Sequence, residues 1–133
     1  MNRLCFSATI LLCTVFSAGA VFHILVLLGY VPTTIVWGGR FSNTSDIYQL
    51  EVVSLVLNVL LLLFTLSNMG IWLKPLPHIL NKVLLGVFCL LFLLNTVGNT
   101  MAKTNIEKYI FTPITAISFF CFGLLFFRKT VSV

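Results

Sequence analysis

Four long runs of this chain are almost free of charge, and they constrain the fold more than any motif does. Between Arg3 and Arg40 no acid or base occurs except His23, and the most apolar stretch covers about 8–30. Similar runs occur at 52–73, 83–102 and 109–127, the last ending at Arg128-Lys129. Each is close to the ~20 residues that carry a helix across about 30 Å of hydrocarbon. Strands of a membrane barrel would be shorter and would alternate polar with apolar side chains. Of the 133 residues, 8% are charged and 59% hydrophobic, whereas a soluble domain carries about 25% charged residues. In water such a chain would expose large apolar patches. The expected fold is therefore all-α: a single four-helix transmembrane bundle with the lipid bilayer as its solvent. Neighbouring helices should run antiparallel, with short loops except the first.

The net charge of +5 does not indicate a nucleic-acid partner, because the basic residues are scattered between apolar runs without a stripe or patch. They do give an orientation. Four spans place both termini and the second loop on one side, with Arg3, Lys74, Lys82, Arg128 and Lys129 and no acid. The other side has Arg40, Lys103 and Lys108 and all three acids, Asp46, Glu51 and Glu107. Positive residues are retained preferentially in the cytoplasm, so both termini are expected there, in a plasma (inner) membrane. Tyr30, Trp37, Tyr48 and Tyr109 would then mark the outer interface and Trp72 the inner one.

Ala18-Gly19-Ala20 after a basic residue and an apolar stretch resembles a signal-peptide cleavage site. The apolar run continues past it to Leu28 and Gly29, long enough to span, so an uncleaved first helix is expected. Cleavage would leave three spans and an outside N-terminus. Cys5, Cys13, Cys89 and Cys121 have no C-x-x-C spacing and read as small hydrophobes. No metal set or cofactor is expected.

Depth separates the polar residues. His23, Asn58 and Asn95 each lie seven positions inside the proposed outer boundary, or roughly 10 Å at the helical rise. Thr112 and Thr115 approach the same level from the fourth span. Glu51, Ser54 and Asn58 share one helical face, and Asn95 and Asn99 another. Two readings stay open. These groups are glue between helices, as Asn, Thr and His commonly are in membranes, or they line an outward polar pocket with His23 and Glu51 as its titratable members. Arg40, in Trp37-Gly38-Gly39-Arg40, is a further candidate for an anionic group, beside the plainer reading of an interfacial turn. Pro113 falls in the first turn of the fourth span, where no kink is required. Asn43-Thr44-Ser45 matches a glycosylation acceptor, which matters only in a eukaryotic secretory pathway.

Together Trp37-Gly38-Gly39-Arg40, Glu51-Val52-Val53-Ser54, Asn95-Thr96-Val97-Gly98-Asn99 and Glu107-Lys108 before Phe111-Thr112-Pro113 resemble a family of small four-span bacterial membrane proteins. The resemblance covers most of the chain from about Val31 onward. It implies architecture and bacterial origin, carries no activity over, and makes the glycosylation match accidental.

Three functions compete. The first is a non-enzymatic membrane protein acting through helix contacts, as a homo-oligomer or with another membrane protein, or through the outer pocket. The second is a small oligomeric transporter or channel, weakened by an inner half of mostly Leu, Phe and Val. The third is an intramembrane enzyme, for which no nucleophile or oxyanion arrangement accompanies Glu51 and His23. Topology is directly testable: single cysteines replacing Ser42 and Val131, with the native cysteines removed, should label from opposite sides of the membrane. Labelling from one side would overturn the four-span assignment.

Overall fold

The structure, a computed structural model, describes residues 3–37, 44–70 and 76–128. It is all-helical, with no strand among the described residues: α1 (Arg3–Leu27), a 3-10 turn at Thr33–Ile35, α2 (Thr44–Met69), α3 (His78–Thr100), a π-helical turn at Glu107–Phe111, and α4 (Thr112–Phe126). The segments Arg3–Leu27, Ser45–Met69, His78–Thr100 and Glu107–Phe126 are each long and apolar enough to cross a membrane. The chain is a multi-pass membrane protein.

The helices begin earlier and end sooner than the apolar runs. At their starts they extend into polar sequence: α2 takes in Asp46 in its first turn, where a carboxylate faces the positive end of the helix dipole, and α3 starts directly after Pro77. At two of their ends glycine is decisive. Gly29 has φ 78°, and the bonds from Gly29 N–H to the Val26 carbonyl (3.0 Å) and from Tyr30 N–H to the Leu25 carbonyl (2.9 Å) close a Schellman turn. Leu28, Gly29 and Tyr30 therefore belong to this turn rather than to the helix. Gly70, with φ 72°, ends α2 in the same conformation.

Pro113 falls in the first turn of α4, as expected, although helical structure runs unbroken into it from 105 through the π turn. Proline offers no N–H and its ring crowds the carbonyl four residues back. The wider π turn relieves this, and the Thr112 N–H reaches back to the Glu107 carbonyl.

Consecutive helices run antiparallel. Residue pairs such as Phe64 with Phe88 and Thr96 with Thr115 advance along one helix as they retreat along the other. Close packing, however, is confined to the hairpins α1–α2 and α3–α4 and to the α1–α4 seam that joins them, while the α2 and α3 backbones hardly approach each other. These two helices meet towards the end away from the first loop. There the Phe64 and Phe88 rings lie 5.0 Å apart and Asn81 donates to Asn68 at 3.0 Å.

That end is packed with rings. Phe16 lies 5.7 Å from Phe92 and 6.0 Å from Phe122, and Phe122 touches Phe92 and Phe88 at 5.5 and 5.6 Å. Leu12, Leu61, Leu85 and Leu125 complete the core. Because lipid tails are as apolar as these side chains, van der Waals fit rather than expulsion of water holds the cluster. The buried hydroxyls at this level need no partner from another helix. Thr9, Thr65 and Ser118 donate to carbonyls four residues back at 2.7, 2.7 and 2.9 Å, satisfying themselves within one helix. All four cysteines are free thiols.

A Cβ at Gly29 or at Gly98 would meet nothing within 4 Å, but only Gly29 has positive φ. Gly29→Ala should therefore lower unfolding free energy by about 1 kcal/mol through backbone strain alone, and Gly98→Ala should leave it unchanged or slightly raised. Detergent-titrated unfolding of both variants checks the contrast.

Candidate functional site

The first loop folds back over the helix ends. Val36 packs with Val26 of α1 and Ile47 of α2, and Phe22, Val31, Ile35 and Trp37 surround them. This cluster holds Trp37 at φ 58°, a left-handed conformation that costs a bulky residue about 1–3 kcal/mol. The indole N–H then donates to Glu51 Oε1 at 2.8 Å. On its other side Glu51 Oε2 lies 2.7 Å from His23 Nδ1, within hydrogen-bond distance. Glu51 is 1% exposed. It is the most enclosed acid among the described residues, and three elements of the chain converge on it.

A second carboxylate sits across the bundle. The π turn sets Glu107 at 6% exposure, and Thr104 Oγ1 donates to its Oε2 at 2.5 Å. Among the described residues its other oxygen takes no hydrogen bond. Phe111, in the same turn, meets Phe22 of α1 edge to face at 5.2 Å. Both acids line one open cavity of about 530 Å³ whose wall takes residues from all four helices and the first loop. Phe16, Leu61 and Phe92 lie at its apolar end.

Six of the residues singled out from sequence meet here: His23, Glu51, Asn58, Asn95, Asn99 and Thr115 all line the cavity. Thr112 does not; its hydroxyl turns back to the Glu107 carbonyl at 3.2 Å, because the π turn brings that carbonyl within reach. Arg40 lies outside the described residues. Two contributors were not among the sequence candidates for binding. Glu107 stood two residues ahead of the expected fourth span, and its burial results from helix extending beyond the apolar run. The Trp37 side chain was read as an interfacial anchor or part of a turn; no local signal ties an indole to a carboxylate fourteen residues on.

The polar groups divide by how well they are satisfied. Thr115 is a junction: Thr96 and Asn99 of α3 lie 3.1 and 3.4 Å from its hydroxyl, which also reaches the Phe111 carbonyl at 2.9 Å. That set joins α3 to α4. Asn58 differs, since its buried Oδ1 has no hydrogen-bond partner among the described residues. Its amide nitrogen lies against Gly19, where an added Cβ would approach to 2.7 Å, so glycine at that point lets α1 and α2 close around the amide. Among the described residues no three His, Cys, Asp or Glu side chains gather as a metal site would require, and no Lys or Arg among them lines the cavity.

The chain matches no family model, no curated protein and no solved structure. Its fold and cavity define a class, an all-helical multi-pass membrane protein with a polar chamber at one end, and the chemistry of that chamber rests on its own residues.

The His23–Glu51 contact predicts a specific non-additivity. His23→Leu removes one partner and leaves the carboxylate buried and uncompensated, a loss of about 3–5 kcal/mol. His23→Leu with Glu51→Leu should be less destabilised than His23→Leu alone. A double-mutant cycle measured by unfolding in detergent decides this, and additive losses would show that the two side chains act independently.

Proposed function

We propose that this chain is a non-enzymatic membrane-embedded binding protein whose cavity takes a small ligand with a polar head and an apolar body. In this reading it is a bacterial plasma-membrane protein with both termini cytoplasmic and the first-loop end outside, so the cavity faces outward. The positive residues around the termini and second loop support that orientation. Leu12 and Phe16 of α1, at 0% and 1% exposure, belong to the core, which favours retention of the first helix. A homo-oligomer or another membrane protein is the natural partner for the long exposed apolar faces of the spans, beside lipid itself.

The observation that carries the reading is a cavity of about 530 Å³, within the range of small-molecule sites, in whose wall Asn58 keeps a buried Oδ1 unpartnered among the described residues. A buried polar group without a partner costs several kcal/mol in hydrocarbon. Glue would be satisfied, as Thr115 is. An oligomeric transporter or channel is the second reading, and the Phe16–Phe92–Phe122 cluster weighs against a route through a single chain by closing the cavity's far end. For catalysis, Ser54 shares the wall with His23 and Glu51, but a Ser-His-acid relay needs serine on the second imidazole nitrogen. Among the described residues no hydrogen bond joins Ser54 to His23.

Site and glue give opposite signs. Asn58→Leu, of similar size, should raise unfolding free energy by about 1–3 kcal/mol by removing an unsatisfied amide, whereas Thr115→Val should lower it. Loss of stability in Asn58→Leu comparable to that in Thr115→Val would return Asn58 to the glue.

A further inference from the structure

The cavity is graded from end to end. At the first-loop end it is lined by Glu51, Glu107, His23 and Trp37, and towards the other by Phe16, Leu61 and Phe92. On α2 the step from Glu51 to Leu61 is ten residues, or about 15 Å along the axis. A molecule filling this space has its head beside the carboxylates and its body against leucine and phenylalanine.

The charge of that head is set by the groups already engaged. Both Glu51 oxygens are taken, one by His23 and one by Trp37. Glu107 has only Thr104 on one oxygen, and no Lys or Arg among the described residues lines the cavity to neutralise it. An unneutralised carboxylate with an oxygen left over calls for a donor that carries positive charge, and the Trp37, Phe22 and Phe111 rings in the same wall suit an organic cation. A bare metal ion would lack ligands among the described residues.

On the binding-protein reading above, we infer that the ligand is a lipophilic ammonium ion, held by Glu107 as its counter-charge with its hydrocarbon directed to the phenylalanine cluster. Glu51 is then a positioning residue, fixing His23 and the strained Trp37 as one wall of the head-group site. The side on which α2 and α3 hardly approach each other is lined by Leu57 and Asn95 and gives such an amphiphile a lateral way in from the bilayer.

The test uses the full chain in phosphatidylcholine nanodiscs, with Trp72→Phe so that Trp37 alone reports by fluorescence. n-Octylammonium, 1-octanol and octanoate are titrated against it and against a Ser54→Leu chain, whose filled cavity measures partitioning into lipid. Octylammonium should give a saturable response that Ser54→Leu abolishes, with octanol and octanoate at least about tenfold weaker. Glu107→Gln, which keeps an oxygen for Thr104, should weaken octylammonium at least about tenfold and leave octanol within about twofold. Glu107→Asp, retaining the charge, should recover part of the affinity. If octanol binds as well as octylammonium, or Glu107→Gln changes neither, the cationic assignment fails while the cavity reading stands. If no probe gives a saturable response, the cationic assignment fails; if Asn58→Leu is also destabilising, the binding-protein reading falls with it.

Discussion

Glu51 has to be answered from within the protein, because at 1% exposure it has almost no water to supply a proton donor or a counter-charge. A buried carboxylate left alone in such surroundings is among the most costly features a chain can carry. Here α2 brings it in, α1 answers with His23 and the first loop answers with Trp37. The same contact ties the first loop to the α1–α2 hairpin, beside the apolar cluster that holds Trp37 in its left-handed backbone. Remove it and the end of the bundle loses the reason for its shape, while the phenylalanine cluster at the other end would be untouched.

The two halves obey different rules as a result. At the far end, packing is dense and each buried hydroxyl closes on its own helix, so the helices can be assembled by fit alone. At the first-loop end the spacing opens, and polar groups depend on side chains from other elements or remain unsatisfied. A bundle of two hairpins joined mainly along the seam α1–α4, with α2 and α3 meeting only at the far end, suits this division, because the hairpins can be tight at one end and stand apart at the other without breaking a helix.

Much of this was legible in the residues. The apolar runs gave the number of spans, and the i, i+3, i+7 spacing of Glu51, Ser54 and Asn58 put them on one face. The residue counts from the boundaries put His23, Asn58 and Asn95 at one depth, and all three line the cavity. Glycine carried more than was taken from it: Gly29 and Gly70 mark where α1 and α2 stop, because only a residue without a Cβ takes positive φ freely. Glu107 and Trp37 were out of reach for a different reason. The burial of Glu107 depends on a helix continuing into polar sequence and widening by one turn. The role of Trp37 depends on a backbone conformation that its residue type disfavours. Neither is a property of composition or period; both are consequences of tertiary contacts.

The π turn at Glu107–Phe111 has a consequence for chain length. Successive residues of an α-helix are separated by about 100° around its axis, so a segment wound one residue wide holds the residues before it at a different azimuth from those after it. Rewinding that segment as ordinary α-helix at its present length would swing Glu107 about a quarter-turn off the cavity wall, whereas rewinding it with one residue removed would return the acid close to its present azimuth. In this helix the direction in which the acid points is written in how the residues between it and Pro113 are wound as much as in their identity.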